Sequence, residues 1–287
     1  MQKLNGCSKF DLKFDCGTEG WQVEKTASSE NSSRLIKQAR KQADYKSYID
    51  SHNTLQNLFE VPSITQIKEH SFLMPFYSGY SILELIEQDN VYVLNSIIQK
   101  LVCLVYEEFD NSEIKEVSAS LFYDKINSII LEVNDNRAKE CGKKIIQSID
   151  FCYINLPLNR CHGDLTFANM IFSDKIVLLD FLDCYIESPF QDISKIMQEL
   201  HLQWSYLTNS NLNCDTIKID IAYKKLLNLF YHHFAIFFDK NNKHITELFY
   251  RITLFRILPY IKDKNIYNLI LDKIEDSYEN TNFTSCR

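Results

Sequence analysis

Phe10, Leu12 and Phe14 alternate with Asp11 and Lys13 near the start of the chain, the period-two pattern of a strand with one buried face. Residues 15–20 bring turn-forming side chains, and Trp21 to Lys25 alternates again as a second strand. The polar run 28–33, rich in Ser and Asn, opens a different period. Leu35, Ala39, Ala43 and the pair Tyr48/Ile49 fall on one helical face between Arg34 and Asp50, with Arg and Lys elsewhere. Two further strands are expected at Ile64–Ile67 and Phe72–Phe76. Ser78-Gly79-Tyr80 interrupts them, and the stretch from Ser81 to Glu84 has the spacing of a capping box that starts a helix.

From there helical periodicity dominates: Asn90–Phe109, Ser118–Val133, more weakly Arg137–Ile149, and nearly everything beyond Gln191. Breaks are expected at Asn209–Asn213, Asn241–Asn242 and Pro259. In between, Met170–Phe172 and Ile176–Leu179 flank Ser173, Asp174 and Lys175 as a short hairpin. No internal repeat or long linker is visible. The pattern predicts an α+β chain of two lobes, a small sheet-rich one over residues 1–77 and a large, mainly helical one over 78–287.

Composition narrows the functional classes. At 287 residues and 45% hydrophobic the chain can bury a full core, and no apolar run is long enough to span a bilayer. The start, MQKLNGCSKF, has no apolar segment of the secretory type. The nine cysteines are scattered and include no Cys-x-x-Cys pair, which predicts reduced thiols, mostly packed as small apolar groups, in a cytoplasmic protein. A net charge of −7 disfavours nucleic acid and anionic membrane as partners. The charge is uneven: residues 1–79 sum to +1 (10 basic, 9 acidic) and residues 80–287 to −8 (21 basic, 29 acidic). That imbalance suits a cationic substrate, and equally serves solubility.

The chemistry concentrates between Arg160 and Phe181, RCHGDLTFANMIFSDKIVLLDF. A hairpin returns the end of its second strand to the start of its first, so Asn169 and Asp180 are expected side by side. Two hard oxygen ligands with the Asp164 carboxylate nearby suit Mg²⁺, which completes its shell with phosphates and water.

His-Gly-Asp, an Asn five residues after the Asp, and an Asp-Phe ending the next strand resemble the aminoglycoside phosphotransferases and choline kinases, which share the protein-kinase-like fold. The resemblance implies a small antiparallel-sheet N-lobe, a mainly helical C-lobe, ATP and Mg²⁺ as cofactors, and a small-molecule hydroxyl acceptor. It casts Asp164 as the group that accepts or orients the hydroxyl proton, His162 as an anchor of the catalytic loop, and Asn169 and Asp180 as Mg²⁺ ligands. In Glu187–Ser194, ESPFQDIS, Asp192 would brace the catalytic loop from a helix start, and Asp183 is a candidate supporting group or a solvated turn residue. Lys25 would pair with the phosphates, the loop around Gly6 would cover them, and Met74 and Phe76 would sit at the adenine hinge. Asp44 and Gln42 are the candidates to hold Lys25, since no Glu occupies the usual place, and Leu182 stands where Gly often follows the metal Asp. These departures keep a second reading open, a nucleotide-binding regulator without turnover. A protein kinase is disfavoured because Asp180 runs almost directly into ESPFQDIS, with no room for a long activation loop. His232-His233 reads as packing rather than a metal pair, since adjacent helix positions diverge by ~100°. No P-loop and no Gly-x-Ser-x-Gly elbow is present.

Overall fold

The computed structural model describes residues 8–13, 21–88, 91–209 and 214–279. In chain order it forms β1 (Ser8–Lys13), β2 (Gln22–Ala27), α1 (Ser32–Ser51), α2 (Asn53–Leu58), β3 (Phe59–Glu60), β4 (Gln66–Ile67), β5 (Ser71–Pro75), α3 (Ile82–Glu87) and α4 (Val91–Asp110). There follow β6 (Glu113–Ser118), α5 (Ser120–Glu132), α6 (Asn136–Gln147), β7 (Tyr153–Leu158), β8 (Met170–Phe172) and β9 (Ile176–Leu178). The chain then runs through α7 (Pro189–Leu202), α8 (Trp204–Leu207), α9 (Thr216–His233), α10 (Lys243–Ile257) and α11 (Lys264–Glu279). Packing divides it into two compact units, residues 1–104, 162–183 and 204–226 in one, and 105–161, 184–203 and 227–287 in the other. Packing thus groups the 162–183 segment with the first sheet, whereas a division at 77/78 separates the two.

In the first unit an antiparallel sheet runs in the order β1-β2-β5-β4. Val23 of β2 joins Phe72 and Met74 of β5 and Leu35 and Ala39 of α1 in one apolar cluster, so the amphipathic helix covers one face of the sheet. Its stripe differs from the expected one at Ala43, which is exposed, while Gln38, Gln42 and Tyr45 are buried. Position 43 is turned roughly 80° from position 35 at ~100° per residue, and position 42 lies nearer the centre of the stripe. A second sheet, β3-β9-β8, carries the expected hairpin: Met170 pairs with Leu178 and Phe172 with Ile176, and β3 joins β9 in parallel. The chain at Gly79-Tyr80 passes tight against this hairpin. Tyr80 and Phe172 exchange backbone hydrogen bonds at 2.8 and 2.9 Å, and a Cβ on Gly79 would fall 2.6 Å from the Phe172 carbonyl oxygen. Just beyond, the Ser81 hydroxyl accepts from Glu84 N and the Glu84 carboxylate accepts from Ser81 N, the capping box that starts α3.

The second unit is mainly helical. Phe122 of α5 meets Phe249 of α10 edge to face at 5.7 Å, and Phe190 of α7 meets Phe237 at 5.6 Å. The Ser188 hydroxyl caps α7 and Pro189 opens it, after which all are buried apart from the partly buried His201. Arg137 of α6 reaches Glu275 and Asp272 of α11, and its guanidinium holds the Glu275 carboxyl below the usual carboxylate range. The β6–β7 ribbon was not foreseen, because its strands are largely exposed and show no clean alternation. The aromatic runs near 223–238 and 249–260 are mostly core, with Tyr223, Phe230, Phe234, Phe237, Phe249 and Phe255 buried. His201 sits between two tyrosines, its Nδ1 2.7 Å from the Tyr250 hydroxyl and its Nε2 2.8 Å from that of Tyr231.

Burial pushes the His201 imidazole from 6.5 down to about 3. Below pH ~6.5 the unfolded chain therefore binds a proton there that the folded chain refuses, so stability falls as the pH drops from ~6.5 towards 3. Denaturant unfolding at pH 7 and pH 5 tests this: His201→Gln should lose less stability between the two pH values than the wild type. Equal losses would show that His201 does not contribute to the acid limb.

Candidate active site

Lys25 lies inside β2 and does not close it, since the strand runs on to Ala27. The period of the strand sets Val23, Lys25 and Ala27 on the face that α1 covers, with Glu24 turned to the other face. There Glu24 is held by the Ser71 hydroxyl at 2.8 Å and the Lys68 ammonium at 3.1 Å. Lys25 is only 3% exposed, and its ammonium forms an ion pair with Asp180 at the end of β9. Of the candidates to hold Lys25, Asp44 is exposed, and the Gln42 amide donates to the Pro62 carbonyl at 2.8 Å.

The loop before β8 is fixed by its own hydrogen bonds. Gly163 has φ 85°, a left-handed conformation that suits glycine. The Asp164 N–H donates to His162 Nδ1 at 3.2 Å, and the Thr166 N–H to the Asp164 carbonyl at 2.8 Å. The His162 ring is buried against Phe181 at 4.2 Å, with Tyr45 of α1 edge-on at 6.4 Å. The His162 carbonyl accepts from Leu182 N, and the Leu182 carbonyl accepts from the Lys41 ammonium at 2.7 Å. The residue in the usual Gly position is therefore held from both sides. Asn169 ends a 3₁₀ turn, Phe167–Asn169, and its carbonyl accepts from Leu179 N at 2.9 Å, which sets it across the hairpin from the residue before Asp180. Its amide nitrogen donates to the Asp164 carbonyl and carboxylate at 2.8 and 2.9 Å.

These contacts bear on the metal. With its Nδ2 spent on Asp164, Asn169 has its amide oxygen left as the acceptor. Asp180 binds Lys25 through Oδ1 and retains Oδ2. Two hard oxygens at one end of a hairpin fit Mg²⁺.

The remaining expected residues fall elsewhere. Asp183 is exposed and lies 3.9 Å from Lys37 of α1, a surface pair worth little in energy. Asp192 is wholly buried in the first turn of α7, where a carboxylate complements the helix dipole. The Met74 side chain belongs to the core cluster, and the Phe76 N–H donates to the Trp21 carbonyl at 2.8 Å while the residue stays 46% exposed. Tyr77, next in the segment, donates to Glu60 at 3.2 Å, and burial together with that carboxylate pushes its phenol up to about 12. Gly6 lies outside the described residues. Tyr45 and Lys41 support the site and were not foreseen. The position of Tyr45 on the helical stripe was the one available signal.

No family model matches the sequence, and neither does any curated protein. Solved structures do match. A thermostable mutant of aminoglycoside phosphotransferase APH(4)-Ia superposes with a TM-score of 0.62 over 99% of this chain and 95% of its own, at 10% identity. Choline kinase from Cryptosporidium parvum gives 0.54 over 96% and 90%, at 11% identity. APH(2")-IIa, solved with streptomycin and ATP, gives 0.50 over 93% and 91%, at 15% identity. The chain has the fold of the aminoglycoside phosphotransferases and choline/ethanolamine kinases. It is an α+β, protein-kinase-like architecture with a small antiparallel sheet and a large helical part.

The Lys25–Asp180 pair is open to a direct test. In a double-mutant cycle of Lys25→Met and Asp180→Asn, urea unfolding should give a coupling energy of about 1–3 kcal/mol, the range for contacting buried partners. Additive effects would mean that the two side chains do not interact in solution.

Proposed function

We propose that the protein is an ATP- and Mg²⁺-dependent kinase that transfers the γ-phosphoryl group to a hydroxyl of a small molecule. The observation that carries this reading is the convergence at one hairpin end of a buried ammonium, Lys25, with Asp180, Asn169 and Asp164. Phosphoryl transfer asks chiefly for positioning and for charge neutralisation, and this set supplies both without a covalent nucleophile. The fold likeness adds support, since the neighbours are phosphotransferases acting on small molecules.

In this reading Lys25 holds the ATP phosphates, and Asn169 and Asp180 hold Mg²⁺ through their oxygens. When bound, Mg²⁺ neutralises charge on the phosphates. Asp164 takes the proton of the acceptor hydroxyl, its carboxylate oriented by the Asn169 amide. His162 keeps that carboxylate in place by accepting from the Asp164 N–H. The Phe76 ring and the neighbouring backbone meet the adenine, the Gly6 loop covers the phosphates, and Asp183 stays at the periphery. The lobes that do this work divide at 77/78. The acceptor is a sugar, an amino sugar or aminoglycoside, or an amino alcohol, and the acidic balance of residues 80–287 favours a cationic one. A reduced, thiol-bearing chain of this kind belongs in the cytoplasm. Among the described residues no helix is long and apolar enough to cross a membrane.

ADP release across a panel of hydroxyl acceptors identifies the substrate. Asp164→Asn keeps the shape and loses the basic carboxylate, so turnover should fall by about 10²-fold or more while ATP affinity changes little. Full turnover in that variant would remove the mechanism. Calorimetry of ATP with and without Mg²⁺ should show tightening by the ion in the wild type and none in Asp180→Ala. Equal tightening in both would take Asp180 out of the metal site, and ATP binding without ADP release from any acceptor would favour the regulator.

A further inference from the structure

Six cysteines lie among the described residues, and only Cys141 and Cys161 are buried, so the thiols are not mostly core packing as expected. Cys141 is inert, its thiol pushed up to about 11 by burial and by Glu275. Cys161 is different. Its Sγ lies 3.5 Å from the Sγ of Cys184 and 3.2 Å from Glu187 Oε2, and the three ligand atoms all fall within 4.8 Å of one another.

We propose that Cys161, Cys184 and Glu187 form a binding site for a thiophilic divalent cation, Zn²⁺ being the natural occupant. A tetrahedral Zn²⁺ with bonds of about 2.3 Å to sulfur and about 2.0 Å to oxygen has S···S and S···O edges of roughly 3.7 and 3.5 Å. The Cys161–Cys184 and Cys161–Glu187 separations are within a few tenths of an ångström of those edges. A disulfide would need the sulfurs to close to about 2.05 Å and would leave the carboxylate without a part. Thiolate ligands select Zn²⁺ over the hard Mg²⁺.

The backbone around the three groups is anchored as a ligand shell requires. The Asn159 N–H donates to the Glu187 carbonyl at 3.2 Å, the Ser188 hydroxyl to the Pro157 carbonyl at 2.7 Å, and the Asn159 amide to the Glu108 carbonyl at 2.7 Å. Cys161 and Glu187 are thus carried on segments tied to each other. An open hollow of 380 Å³, lined in part by Asn159, Leu158 and Tyr185, also reaches Glu187. The Arg256 guanidinium, 6.0 Å from the centre of the Tyr185 ring, is a cation at hand for the negative charge that two thiolates and a carboxylate keep after taking up Zn²⁺. The site does not depend on the kinase reading.

The test uses the wild-type chain, stripped with EDTA and kept reduced with a phosphine. Titration with Co²⁺ should give thiolate charge-transfer absorption that saturates at a single equivalent and is displaced by Zn²⁺. The C161S/C184S variant should lose that absorption, and Glu187→Gln should weaken Zn²⁺ by at least about tenfold, the lower end of what losing even an outer partner costs. A second measurement needs no variant: Zn²⁺ should shield the partly exposed Cys184 from iodoacetamide while the exposed Cys103 and Cys152 still react, read by peptide mass mapping. Absorption unchanged in C161S/C184S, or equal alkylation of Cys184 with and without Zn²⁺, overturns the site. So does a wild-type chain that binds no metal and closes a Cys161–Cys184 disulfide under a mild oxidant.

Discussion

An ammonium group taken almost wholly out of water must meet an opposite charge, because the desolvation penalty otherwise falls on the folded state. Lys25 is in that position, set on the covered face of β2 by the strand's period, and Asp180 provides the countercharge. Much of the first unit's local order serves this meeting. The short β8–β9 hairpin brings Asp180 back beside Asn169, β3 extends the hairpin into a sheet, and Leu182 is pinned between the His162 carbonyl and Lys41 just beyond. The pair is an expensive way to join two sheets, since apolar residues of similar volume stabilise as well or better. Its retention is understandable if the ammonium and the carboxylate are wanted for a ligand's phosphates and metal.

The hydrogen bonds of the 162–169 loop divide the labour among neighbours. His162 spends Nδ1 on the Asp164 N–H, and Asn169 spends its amide nitrogen on Asp164. The carboxylate thereby accepts from a residue five positions on. Tyr45 and Phe181 close over the imidazole and exclude the water that would compete for these bonds.

Where the sequence was legible, the signal was local. The alternation in β2, the capping box at Ser81, the Ser173–Lys175 turn and the Asp164-to-Asn169 interval each act over a few residues, and each lies as expected. What could not be read depended on partners far along the chain. β3 has two residues and exists only because β9 lies beside it, and β6 and β7 pair while showing little burial pattern of their own. The choice of Gln42 over Ala43 for the buried stripe was within reach of helical geometry, but the preference for apolar residues misdirected it. Met74 looked like a hinge residue by position, yet its side chain completes the core under α1. The Cys161–Cys184 meeting joins positions 23 apart and has no local signature at all.

Asp180 has φ 60°, in the left-handed region. Few side chains accept that backbone readily, and Gly, Asn and Asp are the ones that do. Two of those three carry no charge. Substitutions there divide into those the backbone resists and those it tolerates, and the tolerated ones remove the carboxylate that pairs with Lys25. Asn or Gly at this position would satisfy the backbone but remove the countercharge of the buried Lys25 ammonium. Asp is thus the one residue of the three that meets both the demand of the backbone and that of the ammonium.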